Sequence, residues 1–131
     1  MQTVLNTHKK IDTAYSGHVV ELQNGYARVS LETIETMRAD EAGLVHGGFI
    51  FSAADFAAMA AVNEPNVVLA SCTSLFLAPV RVGDMVVFEA TDHQKEGRKR
   101  MVSVNGYVGE TKVFEGEFKT VVTDRHVLSA R

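Results

Sequence analysis

Disulfide bonding within the chain is excluded at the outset, because its 131 residues include a single cysteine, Cys72. That thiol lies in an apolar stretch, residues 67–80, where cysteine behaves as a small hydrophobe, so it is expected in the core and not as a nucleophile. Positive charge is also scarce. Thirteen Lys and Arg against sixteen Asp and Glu leave a net −3, with no broad field to hold a nucleic-acid backbone. No run reaches the ~18 apolar residues that a bilayer-spanning helix needs. Residues 1–10 are polar and lack the apolar segment of a secretory leader. No membrane partner is therefore expected, and the expected setting is the cytoplasm. The five histidines, at 8, 18, 46, 93 and 126, are scattered without metal-ligand spacing, so no metal site is expected. Internal repeats and low-complexity linkers are absent.

What is present reads as one ordinary globular domain. Hydrophobic residues make up 46% and charged residues 22%, enough apolar content to form a core without staples. Residues 1–16 are expected as a short helix or loose arm, residues 17–124 as the domain, and residues 125–131 as a tail. Stretches 18–23 and 26–31 read as short strands around Asn24-Gly25, a strong hairpin signal. Residues 33–43 are polar and turn-prone, with Gly43 a bend. The pattern then changes. Residues 46–63 hold six alanines among Phe, Met and Ile with no proline, and alanine is the best helix former. Glu64-Pro65 ends the run. Phe49, Phe56 and Met59 cannot share a narrow stripe, so this helix is apolar nearly all round and expected to be buried. The remainder is β: a long strand over 67–80 ending at Pro79, a turn at Arg81-Val82-Gly83-Asp84, then alternating stretches 85–93, 101–108 and 112–123. The fold class is α+β, one long buried helix against a six-stranded antiparallel sheet, with the last four strands expected as a meander.

Two features carry chemistry. Asp55 stands in the middle of the apolar helix. A buried carboxylate must be paired, solvated in a cavity or protonated. It therefore either bonds nearby backbone structurally or faces a substrate pocket as nucleophile or general base. Upstream, His46-Gly47-Gly48 opens the helix. The first N–H groups of a helix lack internal partners and carry partial positive charge, and glycine lets another molecule approach them. That geometry suits a polarised carbonyl oxygen. A histidine beside the positive helix end can orient a thioester. Two glycines alone could equally serve as a tight entry turn. An Asp nine residues after the His, within an alanine-rich helix, makes the combination specific.

Gly43-Leu44-Val45-His46-Gly47-Gly48 followed by Ser52-Ala53-Ala54-Asp55 resembles the signature of hot-dog acyl-CoA thioesterases of the phenylacetate-pathway type. Phe76-Leu77-Ala78-Pro79-Val80-Arg81-Val82-Gly83-Asp84 resembles the strand and turn that follow their helix, and the likeness runs over roughly residues 17–123. The resemblance implies a hot-dog fold and a homodimer, or a dimer of such dimers, whose two sheets join edge to edge with sites at the interface. It implies an acyl-CoA or acyl-carrier-protein thioester as ligand, with coenzyme A present only as part of the substrate and no separate cofactor. It implies that the Gly48 N–H, beside His46 and Gly47, polarises the carbonyl, while Asp55 of the other subunit activates water or attacks directly. Asp40 stands where many relatives carry Asn, and Leu69 where Ser or Thr is frequent; Thr73 and Ser74 are nearby polar residues that would take over. Similar hot-dog domains sense acyl thioesters in bacterial repressors of lipid synthesis, behind a helix-turn-helix for which the sixteen residues before Gly17 are too few. The expected function is thioester hydrolysis, with a non-catalytic, regulatory acyl-CoA binder as the alternative.

The run Lys95-Glu96-Gly97-Arg98-Lys99-Arg100 falls at a turn. It is either a solvated hairpin tip or, through Arg98, Lys99 and Arg100, an anchor for the nucleotide phosphates of coenzyme A.

Overall fold

The structure, a computed structural model, describes residues 3–130. Strands β1 (His18–Gln23) and β2 (Tyr26–Glu32) form the hairpin marked by Asn24-Gly25. Helix α2 (Gly47–Val62) follows the loop and matches the expected span to within a residue at either end. Strands β3 (Val67–Phe76), β4 (Met85–Glu96), β5 (Lys99–Val108) and β6 (Thr111–Val122) complete one six-stranded sheet. All its pairings are antiparallel, in the order β1-β2-β4-β5-β6-β3. No helix among the described residues is long and apolar enough to cross a membrane.

The sheet buries one face against α2. Cross-strand rows such as Ala27, Ala90 and Val104, or Val29, Phe88 and Phe114, lie buried beneath the helix. Small helix residues permit the close approach: Ala53, Ala54, Ala57, Ala58, Ala60 and Ala61 are all fully buried. Gly106 serves the same packing within the sheet, since a Cβ there would sit 2.9 Å from the ring of Phe88. Asn63 ends α2 in the left-handed conformation, its N–H bonded to the Met59 carbonyl. Its side chain also clamps the arm, donating to the Val4 carbonyl and accepting from Asn6 N–H. The arm is thus held in place, and its helix, α1, is one turn at Thr13–Ser16 capped by Asp12. The tail ends in a 3-10 turn, Val127–Ala130.

The expected meander of four strands is corrected in one respect. β3 pairs with β6 and not with β4, so it forms the far edge of the sheet, and only β4, β5 and β6 run as a meander. β3 also ends at Phe76 and not at Val80. Pro79 has no N–H for a ladder, and residues 77–84 instead lash onto the loop before α2. Val45 N–H bonds the Val80 carbonyl and Val82 N–H bonds the Gly43 carbonyl. That detour delivers β4 beside β2.

Candidate functional site

The loop leading into α2 is braced by Asp40. Its Oδ1 accepts from the N–H groups of Ala42 (3.0 Å) and Leu44 (3.1 Å), while Arg38 donates to the Asp40 and Glu41 carbonyls. His46 occupies the N-cap. Its N–H bonds the Met37 carbonyl, its carbonyl accepts from Phe49 N–H, and its side chain makes no capping bond. The N–H groups of Gly47 and Gly48 have no acceptor among the described residues. The exposed imidazole of His46 lies against Gly48: a Cβ there would sit 2.8 Å from Nε2. Glycine at 48 is what lets ring and helix end stand side by side.

Asp55 lies seven residues further on, so it shares the helix face of Gly48, about 10 Å along the axis. Phe51, one turn before Asp55, stacks on Phe118 at 5.7 Å, and Phe118 pairs with Cys72 of β3. This places the Asp55 carboxyl over the inner side of β3. Oδ1 is buried without a hydrogen-bond partner, and loss of solvation raises the carboxyl from 3.8 to about 6. A carboxylate held there is ionised at neutral pH yet basic enough to take a proton. Burial raises the Cys72 thiol, a hydrogen bond with Ser74 opposes that, and the Asp55 carboxylate adds to it. Cys72 is half-buried and close to Asp55, more than the simple core thiol expected of it. Strand alternation, which sets residues 72 and 74 on one face, was the available signal.

The same alternation separates Thr73 from Ser74. Thr73 lies on the outer face, lining a polar concavity of about 320 Å³ with Ser103, Asn105, Glu115 and Glu117. Leu69 packs against the core. The three cations of the basic run have different surroundings. Arg98 pairs with Asp124 at the hairpin tip. Arg100 turns to the helix side and pairs with Asp92 at 3.1 Å, the two side chains only 13% and 10% exposed. Lys99 and Arg100 both border a groove of about 420 Å³, together with Lys119.

β3 is the long exposed edge of the sheet. Among the described residues no strand lies on its outer side, and at its end Leu75, Phe76 and Leu77 are 54%, 53% and 47% exposed. Exposed apolar edges of this kind invite pairing with another strand.

A family model described as the Thioesterase superfamily matches residues 42–113. A methylthioribose-1-phosphate isomerase of Aquifex aeolicus is 54% identical over 117 residues, covering 89% of this chain and 26% of that protein. A transcription factor FapR of Caldanaerobacter subterraneus is 29% identical over 116 residues, covering 88% of this chain and 58% of that protein. The chain thus spans about a quarter of one of these relatives and less than two thirds of the other. Among solved structures, an uncharacterized protein of Pyrococcus horikoshii is 45% identical, with a TM-score of 0.96 over 98% of each chain.

Proposed function

Since this chain belongs to the thioesterase superfamily and has the hot-dog fold, we propose that it hydrolyses acyl thioesters of coenzyme A or a carrier protein at a site shared by two copies. The observation that carries the reading is the relation of Asp55 to the start of α2. A buried carboxylate poised near 6 and the Gly48 N–H, which has no acceptor among the described residues, share a helix face, about 10 Å apart. A reacting carbonyl must lie roughly 3 Å from both its base-activated water and its oxyanion donors. One chain cannot meet both demands, whereas Gly48 of one copy facing Asp55 of another can. The apolar β3 edge offers the seam for such pairing, as a homodimer or a dimer of dimers.

In this mechanism the Gly47 and Gly48 N–H groups polarise the thioester carbonyl, and His46 fixes its approach. Asp55 of the other copy takes a proton from water as the water oxygen bonds the carbonyl carbon. The N–H groups hold the resulting oxyanion. Its collapse breaks the carbon–sulfur bond, and the departing thiolate recovers the proton from Asp55. Ser74 and Cys72 line the Asp55 side. Asp40 acts at one remove, by holding the loop that presents His46.

Asp55→Asn is expected to cut turnover by roughly 10²-fold or more while acyl-CoA binding is kept or tightened. Thiol release measured beside calorimetric binding tests this; unchanged turnover in the variant would defeat the assignment. The resemblance to FapR over 88% of the chain favours a second reading, a regulatory binder that does not hydrolyse. It expects saturable binding with no thiol release in wild type.

A further inference from the structure

The outer face of the sheet, turned away from α2, is divided by charge. Its acidic part is the concavity at Glu115 and Glu117. Toward the hairpin tip between β4 and β5 lies the groove of about 420 Å³, flanked by Lys99 of β5 and Lys119 of β6. Strand alternation sets both lysines on the outer face, because Val102, Phe118 and Thr120 beside them are buried on the other. Met101 and Val121 supply apolar lining between the lysines, and Gln94 offers an amide. We propose that this groove binds a nucleoside phosphate, with a purine base on the Met101 and Val121 side chains and phosphate oxygens on Lys99 and Lys119.

Charge singles out an anion. Met101 pairs with Lys119 and Lys99 with Val121, so the two lysines are diagonal neighbours, about 7–8 Å apart at their base. Like charges so placed repel unless an anion lies between them. Neither lysine forms an ion pair among the described residues. Glu96, across from Lys99 in β4, borders the groove without pairing with it. Glu117, two residues before Lys119, is held by His93 and Ser103. Arg100 also borders the groove, but its guanidinium is committed to Asp92. Two uncommitted ammonium groups on flexible stems can close on one phosphate from either side.

Size and lining narrow the ligand further. At about 30 Å³ per water-sized group the groove holds roughly fourteen, close to a purine base with one phosphate. A bare inorganic anion would leave the apolar lining wet. A base covers it, and a methionine sulfur is favourable beside an aromatic ring. Nucleic acid or an anionic membrane laid here would run on to Glu115 and Glu117 of the same face and be repelled. Pairing along β3 leaves the lysines open, since Lys119 lies one strand in from that edge and Lys99 two. Of the lining residues Ala70 alone, at the bulge, belongs to β3.

The same chemistry has two sources: a free nucleotide, or the nucleotide end of a coenzyme A thioester bound as proposed above. One calorimetric series separates them. ADP is expected to bind wild type saturably, with adenosine and inorganic phosphate each about ten-fold or more weaker. Lys99→Gln combined with Lys119→Gln should weaken ADP by about ten- to a hundred-fold. Met101→Ser should weaken ADP and leave inorganic phosphate unchanged. The coenzyme A arm uses an S-(2-oxoalkyl)-CoA, which cannot be hydrolysed. If the groove takes a free nucleotide, this ligand and ADP bind together and the double substitution spares it. If the groove takes the nucleotide of coenzyme A, ADP competes with it. The double substitution then weakens it but not the matching pantetheine ligand, which has no nucleotide. Binding of ADP and of the coenzyme A ligand that both ignore the double substitution, or binding of neither, overturns the proposal. So does tighter binding of a single-stranded oligonucleotide or of phosphatidylserine vesicles than of ADP, lost in the double variant, which would make the lysines a polyanion surface. Thiol release from acyl-pantetheine, recorded in parallel, tests hydrolysis without the groove, so either reading can fail alone.

Discussion

The two halves of α2 use one helix for different ends. From Phe56 to Val62 every residue is buried, and the half closes on an Asn63 cap that also straps down the arm. From Gly47 to Asp55 the helix is looser: Gly48 and His46 are exposed, Phe49, Phe51 and Ser52 are partly so, and two N–H groups and one carboxylate oxygen lack partners. Unsatisfied buried polar groups lower stability, so the first half is maintained at the expense of what the second half supplies. The comparison shows where to look for chemistry in an apolar helix: at the end where packing is incomplete.

The largest expected effect lies in the packed half. Phe56→Ala should lower stability by about 3–5 kcal/mol, read by urea unfolding, while the surviving folded protein keeps its turnover per site. A large drop in turnover at full folding would mean that the two halves are not separate.

Ionisable behaviour divides the halves next. Asp55 sits at about 6 when folded, above its ordinary 3.8. The folded state therefore binds the proton more tightly than the unfolded one. Stability is fully present below about pH 4 as far as this group is concerned, and falls as pH rises through about 6, by roughly 3 kcal/mol at most. Asp55→Asn should remove that decline and be the more stable protein at pH 8. Equal pH dependence in variant and wild type would show that the carboxyl is better solvated than its buried oxygen implies.

Much of this division was legible in the residues. The alanines and Pro65 marked α2 and its end, and the lone carboxylate with His46-Gly47-Gly48 marked its working half. Local signals were legible because their causes are local: Asn24-Gly25 dictates a hairpin whatever lies elsewhere. The position of β3 was not, because strand order depends on non-local pairing, and residues 77–84 leave the sheet through bonds to a loop thirty-odd residues upstream. The basic run is a related case. Strand alternation turns the Arg100 side chain toward Asp92 and the hairpin tip gives Arg98 to Asp124, pairings that adjacency in sequence does not reveal, while Lys99 and Arg100 still border one groove. The same alternation parts Thr73 from Ser74 and sets Ser74 beside Cys72, near Asp55. Asp40 could be read as a site residue from its place in the motif, whereas its work, bonding two N–H groups of its own loop, depends on a backbone path that no short motif encodes.

The central claim is that Gly48 of one copy and Asp55 of another make one site, and mixing tests it most directly. Asp55→Asn and Gly48→Val chains, each expected to be nearly inactive alone, are refolded together in equal amounts. In a two-fold dimer half the assemblies are mixed and each carries one intact site, so activity should recover to about a quarter of wild type. No recovery beyond the sum of the two parents, in a mixture shown by light scattering to be dimeric or larger, would contradict the shared site.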